Sequence, residues 1–291
     1  MLSVVIPSFN RCQTLERVLG AYQKQSARDK IAELIVVDDG STDATASVVE
    51  AASRESVFPV RYFYQANRGP AAARNLGIRE ARASIILFTD DDIIPTPDLV
   101  AQHLQWHAKH PEESTAVLGY VTWSPELPST PFMDWYGNEV LFAYSEIASR
   151  SLVDYRYFYT CNVSLDRQFL LLNGAFDEDF RFAAWEDIEL GFRLQKAGMR
   201  LFYNSGALAF HHQMISFDEA CKRYKKSAAA ALTFRQKDAG QHSEEYTRTT
   251  SAQKQHVKKW LGPVLLPLKP LMDWKIPLPQ AAYKTMFRIY R

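Results

Sequence analysis

Three consecutive aspartates, Asp90-Asp91-Asp92, close the β-branched run Ile85–Phe88. Carboxylates packed side by side repel one another unless they are solvated or neutralised by a cation. A hard divalent cation such as Mg²⁺ or Mn²⁺ takes carboxylate oxygens and bridges them to phosphates. The cluster by itself reads equally as a solvated turn with an Asp capping a helix. A second pair, Asp38-Asp39, ends the run Leu34–Val37 and precedes Gly40-Ser41-Thr42-Asp43. These are turn and cap residues, with Ser41 or Asp43 expected to cap the next helix. An aspartate there also suits a nucleobase imide N–H. Glu186-Asp187 opens a helical pattern. It is either favourable charge at a helix N-terminus or a general base aimed at an acceptor hydroxyl. His211-His212 follows a strand pattern and reads as structural or as a metal ligand.

The elements that must carry these residues alternate. Strand-like runs occur at 3–6, 34–37, 60–64, 85–88 and 116–121. Between them, residues 14–25, 43–53, 71–81 and 98–109 have helical period. This pattern predicts an α/β fold with a mostly parallel central sheet flanked by helices, in which ligands gather at the carboxyl ends of the strands. Those ends hold Pro7-Ser8-Phe9-Asn10, Asp38-Asp39, Asn67-Arg68-Gly69 and Asp90-Asp91-Asp92. No glycine-rich dinucleotide fingerprint or P-loop occurs. Residues 123–158 are aromatic and irregular; Trp123, Phe132, Trp135 and Tyr136 read as core or as an acceptor platform. Further on, 161–165 predicts a strand, 167–173 and 185–198 helices, 200–203 a strand, and 217–235 a basic helix. Residues 237–256 are polar and predicted to be mobile.

The charge is divided unevenly. Residues 1–221 carry 19 Lys and Arg against 29 Asp and Glu, and residues 222–291 carry 15 against 4. An acidic half repels bare phosphates, so a bound cation has to reconcile it with a phosphate ligand. The three widely spaced cysteines, Cys12, Cys161 and Cys221, fit a reducing cytosol and neither a disulfide framework nor a zinc site. No signal peptide or membrane-spanning run is read, which predicts a cytoplasmic protein. Nothing in the pattern points to a nucleic-acid partner.

Six segments in order carry a resemblance: "SVVIPSFNR" (3–11), "LIVVDDGSTD" (34–43), "NRGPAAARNLGI" (67–78), "ILFTDDD" (86–92), "NGAFDEDF" (173–180) and "WEDIELGFRLQKAG" (185–198). Together they resemble the family 2 glycosyltransferases, which have the GT-A fold. The resemblance covers about residues 2–215. It implies a catalytic domain over 1–215, divided into a nucleotide-binding half (1–120) and an acceptor half with the base (121–215). A basic, partly helical C-terminal extension (216–291) follows. It further implies that Asp39 meets the nucleobase and that Pro7, Ser8 and Phe9 line the base pocket. Arg68 and Arg74 fall in the segment that reaches the nucleotide. Asp90 faces the ribose, Asp91 belongs to the same nucleotide-binding cluster, and Asp92 with His211 holds the Mn²⁺ or Mg²⁺. Asp187 is the base, and sugar contacts arise near Asn162, Trp185 and Glu186. The implied reaction is inverting transfer of one sugar from a nucleotide-diphosphate sugar to a saccharide or lipid-linked saccharide acceptor, in cell-surface polysaccharide or glycolipid synthesis. The processive "QxxRW" signature is missing after "QKAG".

Residues 254–291 mix Lys254, Lys258, Lys259 and Lys269 with Trp260, Leu261, Leu265 and Trp274. This reads as a segment lying on the anionic inner face of the cell membrane, as a helix packed on the protein itself, or as an oligomer contact. Two other activities stay open: a degenerate domain that binds nucleotide or glycan without turnover, and a metal-dependent phosphohydrolase. The latter needs a nucleophilic aspartate at the first strand end, where Pro7-Ser8-Phe9-Asn10 stands instead.

Overall fold

The computed structural model describes residues 1–181, 184–237, 266–274 and 277–291. Its contacts divide the chain into two compact units: residues 1–124 with 146–212, and residues 125–145 with 213–291.

The first unit is built on a nine-stranded sheet. Its strands are β1 (Leu2–Ser8), β2 (Ile31–Asp38), β3 (Val60–Tyr64), β4 (Ile85–Thr89), β5 (Ile93–Pro95), β6 (Thr115–Trp123), β7 (Leu152–Val153), β8 (Asn162–Asp166) and β9 (Arg200–His211). The order across the sheet is β3-β2-β1-β4-β8-β6-β9-β5, with β7 pairing to β9. The block β3-β2-β1-β4 is parallel, β8 runs against both neighbours, and β6 and β9 are parallel again. Leu2, Val4, Val5 and Ile6 are all fully buried, because helices cover both faces of the parallel block.

Helix α1 (Cys12–Gln23) buries Leu15, Val18, Leu19 and Tyr22, the stripe expected from helical period. Helix α3 (Pro70–Glu80) presents Ala71, Ala72, Ala73 and Gly77 instead. Small residues let its backbone lie close on β1: a Cβ at Gly77 would meet Val5 Cγ1 at 2.3 Å. Helix α2 (Thr45–Glu55) corrects one expectation. Its N-cap is Ala44, and neither Ser41 nor Asp43 takes that place. Asp43 accepts from Thr45 N at 3.0 Å and from Cys12 N at 2.9 Å, while the Ser41 hydroxyl accepts from Asn10 N at 2.9 Å. Both side chains tie the loop after β2 to the loop after β1 and so fix the rim of the sheet.

The second unit contains α5 (Pro131–Tyr136), α8 (Phe217–Gln236), a 3₁₀ segment (Leu266–Asp273) and α9 (Gln280–Tyr290), while α4 (Leu99–Lys109), α6 (Arg167–Leu172) and α7 (Glu186–Lys196) belong to the first. Ser216 opens α8 with a reciprocal capping box to Glu219. Phe132, Trp135 and Tyr136 are buried, with Trp135 5.9 Å from Tyr283 and 5.7 Å from Phe287, ring centre to ring centre. These aromatics form the core of this unit. In α9, Tyr283, Met286, Phe287 and Ile289 are buried, while Lys284 and Arg288 are exposed. Residues 238–265, including Lys254, Lys258, Lys259 and Trp260, lie outside the described residues, as does almost all of the polar stretch 237–256. No helix among the described residues is long and apolar enough to cross a membrane.

Candidate functional site

The sequence-predicted residues meet at the carboxyl rim of the sheet in three connected groups. The first forms where β1 ends beside the turn between β4 and β5. Asp91 turns toward β1, where its Oδ2 accepts from Ser8 Oγ at 2.9 Å and from Phe9 N at 3.4 Å. Pro7 precedes them in register with Val37, and Phe9 leaves 47% of its surface exposed at the rim. Asp92 turns the other way. The pairing of β5 with β9 sets Ile93 opposite His211 and brings His212 N to Asp92 O at 2.8 Å. His211 Nε2 is consequently 3.3 Å from Asp92 Oδ2, with the indole of Trp123 stacked on the imidazole at 5.3 Å. Asp91 and Asp92 are both buried. Burial first, and the neighbouring Asp92 second, push the Asp91 carboxyl up to about 7. Arg11 supplies positive charge, with its guanidinium bonded to Asp91 at 3.3 Å and to Asp92.

The second group is centred on Arg74, which is 3% exposed on α3. Its Nη2 donates to Asp90 Oδ1 at 2.8 Å and its Nη1 to Glu186 Oε1 at 2.9 Å. One buried cation therefore joins the triple aspartate to the first residue of α7. Trp185 sits before that residue at φ 72°, a left-handed conformation that a bulky side chain rarely adopts. Asp187 follows in the first turn and accepts from Ile188 N at 2.8 Å. Part of its surface stays open, yet protein atoms crowd it. Burial, then the neighbouring Glu186, raise its carboxyl to about 7. Glu186 is itself shifted upward by burial, against the pull of Arg74.

The third group is held by Asp39. Its Oδ1 accepts from Gln65 Nε2 at 2.7 Å and from Arg68 N at 2.9 Å, and its Oδ2 from Gly69 N at 2.8 Å. Asp38 is taken up by Ser41 N and the Tyr62 hydroxyl, both at 2.7 Å. Asp39 thus organises the loop 65–69, whose Arg68 side chain is exposed and paired with Glu178 at 2.6 Å.

Asn162 lies elsewhere than the rim surface. It is 1% exposed, and its amide is engaged with His103 Nε2 at 2.9 Å and Ala207 O at 2.8 Å inside the sheet. Cys161, next to it, had no role in the sequence reading. Burial pushes its thiol well up, and Asp90, Asp187 and Asp92 add to that in turn. The charges of Asp90, Asp92 and Asp187, from two distant segments of chain, therefore all act on this residue. Arg11 was likewise quoted within a motif and given no task. The signal for it is electrostatic: three adjacent aspartates demand a nearby cation.

Asp92 and His211 offer one carboxylate and one imidazole, a donor pair that suits a hard divalent cation. Among the described residues no group of three His, Cys, Asp or Glu side chains is placed to hold a metal. Two protein donors with open positions fit a cation whose remaining ligands come from phosphate and water rather than from an all-protein cage.

The model of "Glycosyl transferase family 2" matches residues 3–150, the stretch that holds Asp39, Arg74 and Asp90-Asp91-Asp92 but neither Asp187 nor His211. The chain belongs to this family. A family member named Validoxylamine A glucosyltransferase, from Streptomyces hygroscopicus subsp. jinggangensis, is 34% identical over 223 residues, covering 68% of this chain and 52% of that protein. The chain thus spans about half the length of the curated relatives it first matches. Among solved structures, the mannosyltransferase PcManGT from Pyrobaculum calidifontis in complex with GDP-Man and Mn²⁺ superposes with TM-score 0.66 at 20% identity, over 99% of this chain and 84% of that one. S. aureus TarS 1-349 in complex with UDP superposes with TM-score 0.58 at 17% identity, over 99% and 89%. The family 2 chain has the GT-A fold, with its acidic rim at the carboxyl ends of the parallel strands.

Proposed function

We propose that this protein moves a single sugar from a nucleotide-diphosphate sugar to an acceptor hydroxyl by an inverting displacement. The observation that carries the reading is the Arg74 bridge, which ties Asp90 at 2.8 Å to Glu186 at 2.9 Å, beside Asp187, across almost a hundred residues of chain. Asp187 has its proton affinity raised to about 7, which suits a general base near neutrality. It takes the proton of the acceptor hydroxyl as that oxygen attacks the anomeric carbon, and no covalent enzyme intermediate forms. Pro7, Ser8 and Phe9 line the base side, with Asp91 holding their loop. Asp39 meets the nucleobase, and Asp90 the ribose. Arg68 and Arg74 serve the donor side, and Trp185 and Glu186, with Asn162 behind them, shape the sugar and acceptor region. Asp92 and His211 hold Mn²⁺ or Mg²⁺, which when bound neutralises the leaving diphosphate. Support comes from the names of the relatives, from the UDP, GDP-Man and Mn²⁺ held by the solved neighbours, and from the donor pair on Asp92 and His211.

Incubation with a panel of nucleotide sugars, with and without Mn²⁺, tests the proposal. Release of free nucleotide only with metal supports it. Phosphate release from a phosphomonoester would favour a hydrolase, and binding without turnover a degenerate domain. Asp39→Ala is expected to weaken UDP or GDP binding about 10- to 100-fold in calorimetry. The loss corresponds to charge-assisted hydrogen bonds of roughly 1.5–3 kcal/mol. Unchanged affinity would remove Asp39 from the nucleotide site.

The proposal extends to location. We read residues 1–215 as the catalytic part and 216–291 as a basic extension that meets an anionic inner membrane surface, where a lipid-linked saccharide is the acceptor for cell-surface glycan synthesis. The motive is the excess of 15 Lys and Arg over 4 Asp and Glu in residues 222–291. Full-length protein is expected to float with anionic liposomes and a chain cut at Gln253 to stay behind. Equal flotation would discard the membrane reading.

A further inference from the structure

Asp91 and Asp92 are adjacent and buried, and one guanidinium nitrogen reaches both carboxylates, so their charges stand close enough to repel. Arg11 answers that repulsion. Its Nη1 bonds Asp91 Oδ1 at 3.3 Å and also Asp92 Oδ2, the same oxygen that faces His211 Nε2 at 3.3 Å. Arg11 is not locked in place as Arg74 is. Its side chain is 42% exposed against 4% for Arg74, and it stands at the N-cap of α1 with no capping bond to lose. A half-exposed monovalent cation thus occupies the oxygen that a divalent cation would need.

We infer that Arg11 is a built-in counter-cation for Asp91 and Asp92, displaced from Asp92 when the divalent cation binds and then turned onto the donor's diphosphate. The inference rests on the metal reading of Asp92 and His211. A divalent cation and a guanidinium drawn to one carboxylate oxygen repel each other at close range, so the two compete there. The displaced guanidinium would present a planar fork that matches phosphate oxygens, and a cation held by Asp92 and His211 would draw the diphosphate to the same place. Arg11 therefore opposes metal alone and supports metal together with nucleotide. Coupling of this kind makes cation and donor bind as a pair.

Titration with Mn²⁺ followed by electron paramagnetic resonance, then UDP titration by calorimetry in saturating Mn²⁺, tests both halves on the full chain. Arg11→Ala is expected to bind Mn²⁺ about tenfold tighter without nucleotide and UDP about tenfold weaker with Mn²⁺ present, a range typical of coupled sites. Arg11→Lys keeps the charge without the fork, so its Mn²⁺ affinity is expected near wild type while UDP binding stays weakened. Mn²⁺ affinity unchanged or lowered in Arg11→Ala overturns the inference. Tighter Mn²⁺ with unchanged UDP affinity overturns its diphosphate half. Asp92→Ala separates this from the underlying reading. If that variant binds Mn²⁺ like wild type, the metal assignment itself fails; if it loses Mn²⁺ while Arg11→Ala changes nothing, only the role of Arg11 fails.

Discussion

Asp187→Asn is expected to lower kcat by about 10²–10⁴-fold, the span that a positioned general base contributes, while nucleotide-sugar affinity stays within about twofold. Asparagine keeps the size of the side chain and can still accept from Ile188 N, so α7 keeps its start. What it loses is the lone pair that takes the hydroxyl proton. The pH profile gives a second, independent signature. The carboxyl is raised to about 7, by burial first and by Glu186 second, so its basic form predominates only above that value. In wild type, kcat is expected to climb about tenfold per pH unit below about 7 and to level off above it. The residual rate of Asp187→Asn should lack that limb. A variant that transfers at the wild-type rate, or keeps the same acid limb, would take the base role away from Asp187.

Arg74→Met is expected to destabilise the fold by about 3–5 kcal/mol, the range for breaking a buried ion pair from one side. Methionine fills much of the same space, so the loss isolates the charge. Glu186 is 3% exposed and would be left as a buried anion beside Asp187, while Asp90, with a side chain 31% exposed, is better solvated. Thermal unfolding should fall by about 10 °C for a chain of this size. Without the cation, the folded-state pKa of Glu186 rises further above its unfolded value. Its protonated form is then compatible with the fold, so the deficit shrinks as pH falls and is largest once pH exceeds that raised value. Adding Glu186→Gln to Arg74→Met is expected to restore part of the stability for the same reason. Arg74→Lys should rescue poorly, because one ammonium cannot serve Asp90 and Glu186 with two separate donors. If Arg74→Met unfolds at the wild-type temperature in chemical and thermal melts, Arg74 is not the clamp between the two segments.

Much of the scaffold was legible beforehand because local chemistry writes it. The stripe Leu15, Val18, Leu19 and Tyr22 and the all-apolar Val4, Val5 and Ile6 report period and burial without any knowledge of partners. The loop after β2 differs from the local expectation for the converse reason: Asn10, a long-range partner, claims Ser41, and Asp43 divides its oxygens between Thr45 N at the start of α2 and the distant Cys12 N. The aromatic segment 131–136 carried no usable period, and only its packing against Tyr283 and Phe287 shows it to be core.

The triple aspartate shows the division most clearly. The sequence by itself determined that three carboxylates stand at a strand end and that their repulsion has to be met by solvent or by a cation. Charge, residue type and spacing are local properties. Only the tertiary structure decided that the three aspartates face three ways: Asp90 to Arg74, Asp91 to Ser8 and Phe9, Asp92 to His211. Strand order and register made that choice, by setting Ile93 against His211 and by laying α3 on β1. Partners 119 residues apart in the chain, as Asp92 and His211 are, leave no local trace of each other. Period tells which face a side chain takes, and packing alone tells what stands opposite.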